Sequence, residues 1–509
     1  MNIRLVTHNA GNAAHHPKVD VIIYSSFQKK APSKNDPKQT ELFHSWPKDI
    51  AHAFQNSRGF TLFKGNRGEH FHTRLPDGTL LIALGLGEKD QFTLENLRRE
   101  IASIYRTFRK NYASAAIGLD DLKTKASMED SARAIAEALG MADYAFDEYL
   151  TTKDNPSLKE FILYTKSKAS DTRKVQKALD DAKHVVDAIA FARHVINMPP
   201  NILHSEDYSK RIQADSKKLG STVKVKVLGE KELQKEGMGM FLAVNAGSHH
   251  DPQLVHLTYT PRGANSKTKH VALIGKGLTF DTGGYSVKPG ESMVNMKFDM
   301  AGSATVYAAF RAAVQCGLKV KITCILGITD NAIGPDAIKP DSIVTARNGK
   351  TVEILNTDAE GRLVLGDCMD YACDLKPDIM IDAATLTGAC LVALGHEVCG
   401  LMGNDQKLVN ELLDCSKKSD EYLWQLPIIP EFHNDMKSPI ADLKNIGSNR
   451  FGGTSKAAAF LECFVKNEVK WAHLDIAGIA DAQSHLPYCP SKGASGLMVR
   501  TLVRYLAQQ

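Results

Sequence analysis

The sequence predicts an α/β protein in two parts: a smaller amino-terminal α/β domain, joined by a long helix to a carboxy-terminal α/β/α domain with a mixed central sheet. Three observations carry this expectation. Short β-branched runs alternate with segments of helical periodicity at both ends of the chain, the pattern of sheets covered by helices. One long amphipathic stretch, 171–198, separates the two alternating regions and is stopped by Pro199-Pro200. At 509 residues the chain also exceeds what one hydrophobic core ordinarily organises.

The first clear strand is 19–24, short and β-branched, and the second is 79–84, which ends in Gly85-Leu86-Gly87. That glycine pair lacks the third glycine and the later acidic residue of a dinucleotide loop. The segment 93–112 has helical spacing and carries Arg98, Arg99, Arg106, Arg109 and Lys110. Residues 1–18 lack the apolar core of a secretory signal; with Arg4 the only arginine and Leu5-Val6 the only strongly apolar pair, they read as an ordinary strand rather than a mitochondrial presequence. A cytoplasmic protein is expected. The stretches 29–38 and 165–173 are polar and expected to be exposed.

In the long helix, Val175, Ala178, Ala182, Val185, Ile189, Ala192 and Ile196 recur in steps of three and four. Two prolines then remove successive donors and end it. Domains are expected at 1–170 and 199–509, with 171–198 as the linker helix. Beyond it, strands are expected at 223–228, 270–274, 320–326, 378–383 and 471–475, and helices at 302–315, 362–375 and 455–466. This alternation predicts a largely parallel or mixed sheet with helices on both faces.

Composition narrows the function. A chain 43% hydrophobic and 24% charged is globular, and a net charge of +5 is weak for a dedicated nucleic-acid binder. The nine cysteines all fall at or after Cys316 without CxxC spacing, against both a disulfide scaffold and a cysteine zinc site. The most apolar run, 379–395, contains Asp382 and small residues and reads as a buried strand and turn, not a membrane span.

The chemistry gathers in three blocks. Asn356-Thr357-Asp358-Ala359-Glu360-Gly361-Arg362 sets two carboxylates and a guanidinium at alternate positions, on one side of an extended segment. Upstream, the run from Gly275 to Pro289 leaves the 270–274 strand and enters a glycine-rich loop with Lys276, Asp281 and Lys288. Met296-Lys297-Phe298-Asp299-Met300 follows. Crowded carboxylates repel unless protons or metal neutralise them, and a ligand set without Cys or His suits two hard or borderline divalent ions.

These blocks, in this order and spacing, closely resemble the leucyl aminopeptidase family of cytosolic two-metal exopeptidases. The resemblance is strong over roughly residues 190–500 and covers only the general layout before that. It implies a first metal held by Asp281, Asp358 and Glu360, and a second held by Lys276, Asp281, Asp299 and Glu360. Zinc or manganese is expected, with cobalt or magnesium as further candidates. It implies Lys288 as the electrostatic catalyst, and Arg362 with the backbone of Leu386 as the cradle of a bicarbonate ion acting as general base. Met296, Asn356, Thr385 and Gly388 would receive the substrate's first side chain, leucine and similar apolar residues being preferred. Peptide substrates and a homohexamer of two stacked trimers follow from the same likeness.

Each residue also has a plainer reading. Lys276 alone reads as a surface charge, Lys288 as a loop lysine, Met296 as core filler, and Arg362 as the salt-bridge partner of Asp358 or Glu360. His473 and Asp475, two apart in a strand, read as buried structural partners. Two further blocks, 445–461 and 471–478, are assigned to packing near the site, and the Ser448-Asn449-Arg450-Phe451 insert is longer than the family's loops. Zincin chemistry is disfavoured because His396-Glu397-Val398-Cys399-Gly400 lacks a second histidine. A two-metal phosphoesterase would more often use histidine ligands. The alternative from another class is a moonlighting nucleic-acid-binding protein that uses the basic amino-terminal domain.

Overall fold

In the computed structural model, the described residues are 1–7, 16–28, 42–122, 126–153, 155–167, 169–466 and 468–509. The expectation for 29–38 lies outside them. The chain divides into two compact units, Met1–Val186 with Ser484–Pro490, and Asp187–Gln483 with Ser491–Gln509.

In the first unit the strands are β1 (Asn2–Thr7), β2 (Val21–Gln28), β3 (Leu42–Phe43), β4 (His70–Arg74), β5 (Leu80–Glu88), β6 (Ser114–Gly118) and β7 (Glu160–Thr165). They form one sheet in the order β1-β7-β6-β2-β5-β4, with β3 paired to β2. The inner pairings are parallel and β4 closes one edge antiparallel. The helices are α1 (Lys48–Gln55), α2 (Leu94–Phe108) and α3 (Met128–Asp143). Thr93, expected inside α2, instead caps it, its hydroxyl accepting the Asn96 N–H at 3.1 Å. The arginines of α2 are spent inside the unit. Arg98 is buried and pairs with Glu95 at 2.6 Å and Glu137 at 3.1 Å, Arg99 pairs with Glu95 at 2.7 Å, and Arg106 donates to the Cys489 carbonyl at 2.6 Å. Thr165, expected to be exposed, ends β7 fully buried, its hydroxyl donating to Asp120 at 3.0 Å.

The long helix α4 (Ala169–Asn197) carries the chain out of the first unit, close to the predicted span. The strands that follow are β8 (Val223–Leu228), β9 (Gln253–Tyr259), β10 (His270–Asp281), β11 (Lys321–Asn331), β12 (Ser342–Thr345), β13 (Thr351–Ile354), β14 (Ile379–Ala384), β15 (Cys399–Gly403), β16 (Leu423–Gln425), β17 (Leu443–Lys444) and β18 (Lys470–Asp475). Eight of them form the central sheet, β16-β15-β18-β14-β10-β11-β9-β8, which is mixed: β18, β14, β10 and β11 run parallel, while β9 and β15 run against their inner neighbours. A small sheet, β12-β13-β17, stands apart.

The fold locates the site through β10. From β10 the chain passes to β11 on one side, while from its other neighbour, β14, it passes to β15 and β18 on the opposite side, so the order reverses between β10 and β14 and a crevice opens at their carboxyl ends. The strand is also longer than its apolar run. It continues past Ile274 through Gly275 and Gly277 to Asp281, with a register shift between Leu278 and Asp281. The extension needs glycine: a Cβ at Gly275 would lie 2.4 Å from the Ser303 backbone. Lys276 is therefore held on a central strand, not on a loop.

Candidate metal centre

Lys276 is buried beside β14, and its ammonium reaches three acceptors: Asp299 Oδ2 at 2.8 Å, Glu360 Oε1 at 2.9 Å and the Thr385 carbonyl at 3.0 Å. Gly361 makes this approach possible, since a Cβ there would stand 2.5 Å from the lysine Cε. Asp281, at the end of β10, accepts from Asn331 Nδ2 at 2.8 Å and the Gly283 N–H at 2.9 Å, and faces Lys288 Nζ at 2.6 Å. Lys288 also pairs closely with Asp358. Thr357 ties the two loops together, donating from its hydroxyl to the Gly283 carbonyl at 2.6 Å and accepting the Ser286 N–H at 2.8 Å. Through these links the carboxylates of Asp281, Asp358 and Glu360 come within 4.8 Å of one another.

Crowding sets the electrostatics. Burial and the charge of Glu360 push Asp281 up to about 6, against the pull of Lys288 and Lys276. Burial likewise raises Asp299 well above the usual carboxylate range, and raises Asp358. Burial opposes the charge of Glu360 too, yet Lys276 and Lys288 hold it below its ordinary value. Lys276 stays charged in this arrangement: burial works to lower it, and Asp299, Glu360 and Asp281 together keep it well above the ordinary lysine value.

Divalent ions fit these residues. Glu360 Oε2 is buried with no hydrogen-bond partner, a costly state for an anionic oxygen unless a cation is its intended neighbour. The donors are carboxylate oxygens and one amine, a set that hard or borderline divalent ions accept.

The remaining expected residues divide into two groups. Met296, Thr385, Leu386 and Gly388 line, with the carboxylates and Lys288, a cavity of about 620 Å³. Asn356 and Arg362 are not part of its wall. The Asn356 side-chain oxygen is taken by the Asp358 N–H at 2.8 Å, an Asx turn that aims the aspartate. Arg362 is buried and donates through Nη1 to the Asn445 carbonyl at 2.8 Å, while its Nε has no partner. Among the described residues no carboxylate lies within ion-pair reach of it, so the salt bridge to Asp358 or Glu360 is not formed. Burial pushes this guanidinium down to about 10.

Two residues assigned to packing do more than fill space. Asn445 accepts from the Leu355 and Asn356 N–H groups at 2.9 and 3.3 Å and donates to the Asn356 carbonyl at 2.6 Å, fixing the approach to Asp358. Asp475 accepts from the Leu386 and Thr387 N–H groups at 3.2 and 3.4 Å and from the Thr387 hydroxyl at 2.7 Å, holding the loop that supplies Thr385 and Leu386. His473 does not pair with Asp475. It meets Asp382 at 2.6 Å, and Asp382 also accepts from Trp471 Nε1 at 2.8 Å, all three fully buried. The loop after β18 adds Ala480 and Asp481 to the cavity wall, residues the sequence pattern did not single out. Their only signal is position, just past the carboxyl end of a strand in the central sheet.

Among the described residues no helix is long and apolar enough to cross a membrane. Comparison with known proteins gives consistent results. The catalytic domain of the cytosol aminopeptidase family matches residues 190–503, and the amino-terminal domain of the same family matches residues 61–153. A probable cytosol aminopeptidase of Pseudomonas syringae pv. syringae (strain B728a) is 42% identical over 430 residues, 84% of each chain. One of Alkaliphilus metalliredigens (strain QYMF) is 38% identical over 469 residues, 91% of this chain and 92% of its own. Among solved structures, the bottromycin maturation enzyme BotP in complex with Mn superposes with a TM-score of 0.83 at 29% identity, covering 96% of this chain and 99% of that one. With both domains matched and the relatives aligned over most of their length, the chain belongs to the cytosol aminopeptidase family and is a metal-dependent aminopeptidase, a hydrolase that acts on peptides from their amino terminus.

Proposed function

We propose that this chain releases leucine and similar apolar residues from peptide amino termini with two divalent ions per subunit. The observation that carries the reading is the convergence of Asp281, Asp358 and Glu360 within 4.8 Å, with Glu360 Oε2 buried and unpartnered. Asp281, Asp358 and Glu360 would hold one ion, and Lys276, Asp281, Asp299 and Glu360 the other. Manganese is supported by the similar BotP, solved in complex with Mn, with zinc, cobalt and magnesium as alternatives to be compared. Such a pair of ions supplies an acidified water and a polarised scissile carbonyl.

The chain's own residues do the rest. Lys288, on the cavity wall, holds a positive charge where an oxyanion develops. Lys276 must give up its proton to serve as a ligand, so it is neutral in the working enzyme. Arg362 has an unused Nε donor and a planar fork suited to bicarbonate, with the backbone of Leu386 beside the cavity. Met296, Thr385 and Gly388 line the space for the first side chain, and Asn356 acts on it through the turn that aims Asp358. The domain division at 1–170, 171–198 and 199–509, a homohexamer of two trimers and a cytoplasmic location belong to the same proposal and rest on the family likeness.

The test is hydrolysis of leucyl amide and of an amino-terminally blocked leucyl amide, after stripping metal and adding back manganese, zinc, cobalt or magnesium. Turnover of the free-amine substrate alone, and only with metal, is expected. Equal turnover of the blocked amide, or turnover without metal, would overturn the proposal.

A further inference from the structure

Apart from the carboxylates that meet Lys276 and Lys288, the cavity wall holds one more, Asp481. It stands on the loop leaving β18, whose backbone is anchored along its length. The Ile476 N–H donates to the Ala384 carbonyl at 2.8 Å, the Ser495 N–H donates to the Ala480 carbonyl at 2.9 Å, and the Ser495 hydroxyl donates to the Ile479 carbonyl. Asp481 Oδ1 accepts the neighbouring Ala482 N–H at 2.6 Å, and its other oxygen has no protein donor among the described residues. Nor does any lysine, arginine or histidine among them lie within ion-pair distance. Lys297 is close enough to feel the charge, but its ammonium is committed elsewhere, donating to the Asn197 carbonyl at 3.0 Å and lying 5.7 Å from the centre of the Phe298 ring.

A half-buried carboxylate thus borders a cavity whose wall also holds apolar groups, among them Met296, Leu391 and Ala480, and one imidazole, His396. Apolar walls with an anionic group on one side suit a long side chain that is aliphatic along its stem and cationic at its head. We propose that Asp481 is a specificity-determining residue, pairing with the charged head of a lysine, ornithine or arginine at the first position of the substrate. The stem of that side chain packs where a leucine side chain would, so the cavity accepts both classes. This rests on the reading of the cavity as the peptide site.

The metal-loaded enzyme and its Asp481→Asn and Asp481→Glu variants would be assayed for kcat/KM on arginyl, lysyl, leucyl and norleucyl amides. In Asp481→Asn the arginine-to-leucine ratio is expected to fall by about tenfold, mainly through KM, and Asp481→Glu to restore most of it. The wild-type ratio is also expected to fall as salt rises. An unchanged ratio in Asp481→Asn would mean that Lys297 already neutralises the carboxylate, and equal losses on all four amides would mean that Asp481 holds the α-amine or only the loop; either overturns the proposal. A wild-type enzyme inert on every amide with every metal would instead overturn the peptidase reading on which it rests.

Discussion

Replacing Lys276 with methionine tests the electrostatic account of the centre directly, because it keeps a linear side chain and removes the charge. The ammonium serves Asp299, Glu360 and the Thr385 carbonyl at 2.8, 2.9 and 3.0 Å, and the lysine is only 3% exposed. Removing one partner of a buried ion pair costs about 3–5 kcal/mol. At about 1.5–2 °C per kcal/mol for a unit of roughly 300 residues, the chelator-treated variant should melt about 5–10 °C lower at pH 8. The sign of the pH dependence follows from the raised carboxyls. Asp281, pushed up to about 6, contributes stability that is present below its ordinary range and lost as pH rises through 6, and Asp299 acts in the same sense. Without Lys276 both titrate higher still, so the melting gap should be widest at pH 8 and narrow toward pH 5. Calorimetry on chelator-treated wild type and variant at both pH values decides it. An unchanged Tm at pH 8 would refute the pairing, and an equal loss at both pH values would show that packing, not charge, is what Lys276 contributes.

Other perturbations separate the roles of neighbouring groups. Asp358→Asn or Glu360→Gln should abolish metal-dependent turnover while circular dichroism stays native; near-normal activity after metal reconstitution would remove them from the ligand set. Lys288→Ala should lower kcat by about 100-fold with metal content close to wild type by elemental analysis. Asp475→Asn should lower kcat/KM by about tenfold without metal loss, because it loosens the Leu386 and Thr387 N–H groups rather than a ligand. Metal binding should release at least one proton per subunit, measurable by calorimetry in buffers of different ionisation enthalpy, since a charged Lys276 cannot ligate.

The sequence carried the central sheet wherever burial on both faces leaves a continuous apolar run, as in β14 and the first half of β10. It hid the second half of β10. Glycine weakens a strand in general, and only the close passage of the Ser303 backbone explains why Gly275 belongs in one. Short strands such as β12, β13 and β17 were equally hidden, because a few residues show no period. Polarity alone does not show that Thr165 is buried, because its hydroxyl is satisfied by Asp120, 45 residues earlier. The carboxylates of the centre were legible because they cluster along the chain. Asn445 and Asp475 were not, since each acts on backbone groups more than 80 residues away. The pairing of the basic stretch of α2 is hidden for a related reason: Glu137, which meets Arg98, comes from another helix.

The two lysines divide the centre between them. Lys276 pairs with Asp299 and Glu360, and Lys288 with Asp281 and Asp358, so each carboxylate has one ammonium within ion-pair distance. Four carboxylates could not be buried together without cations beside them, and this division gives each one a counter-charge from the chain itself. It also predicts how each lysine must respond to an incoming ion. Lys276 is enclosed, with Gly361 pressed against its stem, and cannot swing away. On the proposed ligand set it would make room by losing a proton, turning from counter-charge into ligand. Lys288 lines the open cavity and keeps its proton, and its partners Asp281 and Asp358 can be taken over by a cation without the lysine leaving the wall. On the proposed ligand set, the same pairing would therefore supply an amine ligand on one side and an unspent positive charge, on the cavity wall, on the other.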